Sequence, residues 1–126
     1  MSAVTRLVTF VEVDGERRET ISVSARLELE LTSGARVVLL NDRGWSGSGG
    51  WTSTSATCVR ETARAVVGPD EPLDGVSYEH EAAAHWDSLE QIARDRGVAA
   101  DATELRRLPH DVVLSAEVLA RIAPDD

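Results

Sequence analysis

Ile21-Ser22-Val23-Ser24-Ala25-Arg26-Leu27-Glu28-Leu29-Glu30-Leu31 is the stretch whose reading decides the fold. Apolar residues take every odd position, and Ser, Arg or Glu every even one. Successive side chains on a strand point to opposite faces, so the odd residues cover a core and the even residues meet water. On a helix the same residues would scatter around the whole circumference. Burying one Leu is worth about 1.5–3 kcal/mol, so a stripe of this length demands a cover.

Upstream, Val4 to Val13 is rich in β-branched and apolar residues and runs into Asp14-Gly15, a dipeptide suited to a two-residue type I′ hairpin. That turn predicts Val8 opposite Ile21 and Val4 opposite Ala25. Val4, Val8 and Phe10 then share the face of the odd stripe, while Leu7, Val11 and Val13 lie on the reverse face. Downstream, Thr32-Ser33-Gly34 is a second turn signal, and Arg36 to Leu40 reads as a third, more buried strand. Residues 1–40 are therefore expected to form a β-meander.

Residues 41–54 read as a loop carrying Gly44, Trp45, Gly47, Gly49, Gly50 and Trp51. Thr54 or Ser55 can cap a helix over Ala56 to Val67, although Val59, Ala63, Ala65 and Val67 also fit a period of two, leaving a strand as the alternative. Ser77 can cap a helix from Tyr78 to about Arg96, closed by Gly97, with Ala82, His85, Trp86, Leu89, Ile92 and Ala93 on its apolar face. Asp101 and Glu104 form a capping-box-like start to a short helix reaching Leu108, which Pro109 interrupts, and Ser115 can cap a last helix through Ile122. The expected fold is α+β: a small antiparallel meander of three to four strands followed by two to four helices packed on one face. It is one domain over 1–126, with residues 55–126 the mainly helical half.

Composition narrows the chemistry. The basic residues are all Arg, a usage that fits GC-rich bacterial coding, and a chain without Lys has no Schiff-base lysine and no P-loop lysine. The formal net charge is -9. Residues up to Pro69 hold as many acids as arginines, so the whole excess lies from Asp70 onward, where only five Arg (94, 96, 106, 107 and 121) offset fourteen acids. Such a surface repels phosphate backbones and anionic lipid, which argues against nucleic acid and membrane as partners and favours a basic protein. The single cysteine, Cys58, rules out an intrachain disulfide and a cysteine-rich zinc site. With no long apolar stretch, the expectation is a soluble, cytoplasmic protein.

The candidate catalytic patterns fall short one by one. His80 and His85 are five residues apart, which leaves their rings roughly 140° apart around a helix, so one helix cannot aim both at a single metal. Glu81 and His85 do have the four-residue spacing of a pair. Cys58 would need His85 or His110 beside it to act as a nucleophile. The glycines of the loop match neither the dinucleotide fingerprint nor the Walker pattern. No catalytic residue, metal site or cofactor is expected.

Trp45 and Trp51 either fold back onto the sheet or are offered to a partner, with Asp42, Arg43 and Arg64 supplying polar contacts. The leading expectation is a non-enzymatic interaction module that binds a basic protein, one version being an immunity- or antitoxin-like protein. The alternative is a small-molecule-binding protein or minor enzyme with a pocket between sheet and helices lined by Trp45, Trp51, Arg64, His85 and Trp86. A third is a homo-oligomer formed through the sheet edge or its reverse face.

Overall fold

The computed structural model describes residues 4–17, 20–47, 51, 54–69, 75 and 77–122. Three long strands, β1 (Val4–Arg17), β2 (Thr20–Leu31) and β3 (Arg36–Gly47), are followed by the helices α1 (Ala56–Val66), α2 (Tyr78–Asp95) and α3 (Ala102–Arg107). A short strand, β4 (His110–Leu114), and a single turn of helix, α4 (Ala116–Leu119), complete the described chain. The sheet order is β3-β2-β1-β4, with β1, β2 and β3 antiparallel and β4 parallel to β1. The α+β class and the antiparallel meander are as the alternation of β2 requires.

The register of the first hairpin differs from the Asp14-Gly15 expectation. β1 continues to Arg17, which pairs with Thr20, so Val8 lies opposite Glu28 rather than Ile21 and Val4 opposite Leu31 rather than Ala25. The slip is seven residues, an odd number, so it exchanges the two faces of β1. Leu7, Thr9 and Val11 now share the face of Leu29, Leu27 and Ala25, and all six are essentially inaccessible. Burial outweighs local turn preference here, because the short hairpin would have left Leu7 and Val11 on the reverse face. Val4 keeps its place against the core through the register shift between Val4 and Arg6.

All four helices lie on the face of the odd stripe, where the core divides in two. Leu7, Leu27, Leu29 and Leu39 pack with Leu89, Ala93, Val98 and Leu105 beneath α2 and α3. Val11, Ile21 and Val23 pack with Val59, Ala63, Val112, Val118 and Ile122 beneath α1 and α4. Each helix begins at a side-chain cap: Ser55 accepts from the Cys58 amide, Ser77 from His80, Asp101 from Glu104 and Ser115 from Val118. The segment that also fitted a strand, Ala56 to Val67, is helical through Val66, and Val67 closes it.

The reverse face carries an ion-paired lattice instead of an apolar patch. Arg6 pairs with Glu30 and with Asp111 at 2.7 Å, Arg26 with Glu28 at 2.5 Å and Glu12 at 3.8 Å, and Arg36 with Glu30 at 4.0 Å. The guanidinium carbons of Arg26 and Arg36 each lie 5.3 Å from the centre of the Phe10 ring. Val8 is wholly buried on this face, between Glu28 and Asp111 on the neighbouring strands. The stems of the long charged side chains supply its cover.

Candidate functional site

β3 runs seven residues beyond the expected strand, through Gly47, so residues 41–47 belong to the sheet rather than to a loop. Two register shifts opposite Ala25 to Glu28 let β3 accommodate extra residues, and they leave Arg43 opposite Ala25 and Trp45 opposite Val23. Arg43 and Trp45 therefore point to the helix-covered side. Trp51 returns over the end of the strand and is 6% exposed. Its ring stacks on Trp45 with centroids 6.0 Å apart and planes 13° apart. Gly47 makes this possible, because a Cβ there would lie 2.5 Å from the Trp51 Nε1. Trp51 is a member of the second core cluster, and the half-buried Trp45 packs against both clusters.

Arg43 stands at the seam between the two halves. Its guanidinium donates to the Val66 carbonyl at the end of α1, at 3.4 Å, and lies 3.7 Å from the Asp42 carboxylate. On its other side a cleft of about 170 Å³ opens toward α2, lined by Leu40, Arg43, Glu81, Ala84, His85, Ser88 and Leu89. Glu81, His85 and Ser88 follow one another at i, i+4 and i+7, so they form a polar stripe beside the apolar face of α2. The His85 ring meets Trp86 edge-on at 5.2 Å, and Trp86 packs against the first core cluster. The cleft thus has one cationic wall, one wall carrying a carboxylate and an imidazole, and an apolar floor.

Of the residues singled out from sequence, Arg43 and His85 meet at this cleft, Asp42 and Trp45 adjoin Arg43 on the strand, and Trp86 supports His85. Trp51 backs Trp45 from within the core. Arg64 lies elsewhere: its guanidinium donates to the His110 carbonyl on β4, at 3.2 and 3.4 Å. In the parallel register that carbonyl points away from β1, so Arg64 blocks the outer edge of the sheet. Ser88 and Leu40 were not singled out from sequence. The spacing of Ser88 from Glu81 and His85 was a usable signal, whereas Leu40 joins them only through the tertiary fold.

His110 forms a second polar cluster. Its Nε2 lies 2.6 Å from the Thr9 hydroxyl, which is itself wholly buried. Burial, and then the charge of Arg64, push the imidazole below its ordinary pKa, against an opposing pull from Asp111. On the reverse face, the hydrogen bond from Arg6 holds the Glu30 carboxyl below the usual carboxylate range. Cys58 is exposed in the first turn of α1. Among the described residues no group of three His, Cys, Asp or Glu is placed to hold a metal ion, and no helix is long and apolar enough to cross a membrane. Comparison of the chain with family models, curated proteins and solved structures finds no match.

Proposed function

We propose that the protein is a non-enzymatic binding module whose helical layer engages a basic protein. One observation carries this reading: the helical side carries several carboxylates left without a side-chain partner beside others that are paired. On the sheet face Glu12, Glu28, Glu30 and Asp111 are each answered by an arginine. On the helical side Glu79, Glu90 and Asp95 are answered by Arg106, Arg94 and Gln91, whereas the carboxylates of Glu81, Asp87, Glu104 and Glu117 have no ionic or hydrogen-bonding side-chain partner among the described residues. Carboxylates left unpaired on one side of a chain with a net charge of -9 attract a cationic partner and speed its association. An immunity- or antitoxin-like protein that masks a basic toxin is one concrete form of this function.

The test compares the wild type with an Asp87→Asn/Glu104→Gln/Glu117→Gln variant and with a sheet-face control, Glu12→Gln, all verified as folded. A basic protein is recovered by wild type and control at low salt, and its association rate with the purified chain is followed as salt rises. The reading requires that rate to fall steeply with salt and with the triple change. A salt-insensitive rate, or full retention by the triple variant, refutes it. The small-molecule alternative is favoured by a separate observation, the cleft between β3 and α2.

A further inference from the structure

We propose that β4 and α4 form an acid-sensitive arm: protonation of His110 weakens a polar knot that ties the start of β4 to β1 and α1, and the arm then opens more often and uncovers the edge of β1. The device is separate from the basic partner proposed above and is carried by where the contacts of β4 lie. The far half of the strand is anchored by apolar packing, since Val112 and Leu114 join Val118 and Ile122 in the second core cluster. The near half is held differently. Leu108 packs against the first cluster and Val112 belongs to the second, whereas Pro109, His110 and Asp111 between them belong to neither. Polar contacts hold that stretch instead. The Thr9 hydroxyl of β1 lies 2.6 Å from the His110 Nε2, Arg6 of β1 meets Asp111 at 2.7 Å on the reverse face, and Arg64 of α1 donates to the His110 carbonyl at 3.2 and 3.4 Å.

A neutral imidazole suits this position, because the wholly buried Thr9 hydroxyl can donate to a bare ring nitrogen or accept from the other tautomer. An imidazolium keeps only the second arrangement and brings a positive charge into a part-buried site. The elements packed most closely against β4 are β1 and α1. From α1 the ring faces the Arg64 guanidinium, from β1 the neutral Thr9 hydroxyl, and from β4 itself Asp111, whose carboxylate is already engaged by Arg6. Burial and Arg64 outweigh the pull of Asp111 and hold the ring below its ordinary value of 6.5 while the arm is closed. In the open arm the ring regains that value. Opening therefore takes up a proton, so it becomes more favourable as pH falls below 6.5 and levels off below the closed pKa. Between pH 7.5 and pH 5 the opening equilibrium rises at most about thirtyfold, the limit for a ring that titrates only when open. The apolar anchors keep the arm closed at either pH, so protonation changes how often it opens rather than the resting structure. Each opening exposes the β1 backbone that β4 covers, an edge to which another strand can add.

The experiment follows amide exchange in the full chain by NMR at pH 7.5 and pH 5, in low concentrations of urea, with intrinsic exchange rates divided out. Leu7 donates to the Pro109 carbonyl at 2.8 Å and Ser115 to the Val11 carbonyl at 3.0 Å, so these two amides report the two ends of β4. They should exchange through an opening that depends less on urea than exchange in the β1–β2 ladder, and their protection should fall by about threefold to thirtyfold at pH 5. His110→Asn should remove that pH dependence. Arg64→Gln should raise the pH at which the His110 ring titrates and shrink the effect, whereas a purely structural Arg64 would change protection equally at both pH values. The wild-type ring titration, read from the imidazole resonances, needs no variant and should lie below 6.5. Exchange of Leu7 and Ser115 through global unfolding alone, protection unchanged between the two pH values, a pH effect that survives His110→Asn, or a wild-type ring titrating at or above 6.5 would each overturn the assignment.

Discussion

Trp51→Ala is the substitution that most directly tests how the second core is built. The side chain is 6% exposed and packs among Val11, Ile21, Val23, Ala56, Val59 and Ala63. Truncating a buried Phe or Trp to Ala costs about 3–5 kcal/mol. Small domains have about 5–15 kcal/mol in total, so the variant should be left close to its unfolding threshold. Trp45→Ala, which removes a half-buried ring, should cost less, and the stacked pair should show a coupling of about 0.5–1.5 kcal/mol in a double-mutant cycle. Gly47→Ala supplies an internal control. Its Cβ would lie 2.5 Å from the Trp51 Nε1, so it should cost about 1–3 kcal/mol in the wild type and much less in the Trp51→Ala background. The assay is urea denaturation followed by far-ultraviolet circular dichroism, since tryptophan fluorescence changes with the substitutions themselves. A Trp51→Ala cost below about 1 kcal/mol, the range of surface substitutions, would refute the packing argument.

Three further outcomes follow from the register and the polar clusters. Leu7→Ala should cost about 2–5 kcal/mol and Phe10→Ala about 1–2, since Phe10 loses only half-buried surface and its two arginines; the reverse order in urea melts would restore the short hairpin. The depressed imidazole of His110 binds fewer protons folded than unfolded, so its contribution is present above the ordinary value of 6.5 and is lost as pH falls through the folded pKa. Wild type should accordingly lose more stability than His110→Asn between pH 7 and pH 5, and parallel pH profiles would contradict the burial of that ring. Gly44→Ala places a Cβ against the Val23 carbonyl oxygen, which should disrupt the β2–β3 pairing and lower the urea midpoint, whereas Gly15→Ala, with open space around it, should not.

Much of the candidate site was legible once its elements were placed. Arg43 and Trp45 share the odd parity of Val37, but two register shifts lie between, and only because the two cancel does the extended strand put Arg43 and Trp45 toward the helices. The glycines and Asp42 concealed that extension, because they read as a turn. Trp45 and Trp51 stood out in a segment so rich in glycine, and their stacking shows what Gly47 permits. Arg64 was grouped with them by its nearness in the chain. α1 instead carries it to the far edge of the sheet, where it meets His110 on a strand that reads from sequence as little more than two valines after a proline.

By itself the sequence determined the features that depend on near neighbours in the chain: the alternation of β2, the Thr32-Ser33-Gly34 turn, four helix caps, the breaks at Gly97 and Pro109, and the uneven distribution of charge. Each of these is specified by a few consecutive side chains acting on their own backbone. The tertiary structure decided the register of β1, the length of β3, the existence of β4 and the cleft that joins Arg43 to Glu81. β4 is only five residues long and becomes a strand because β1 offers it an open edge, about a hundred residues away in the chain. The β1 register shows the reason most plainly. Asp14-Gly15 favours its turn by a small local preference, whereas the longer hairpin buries Leu7 and Val11 beneath helices that the chain has yet to reach, and that larger gain prevails.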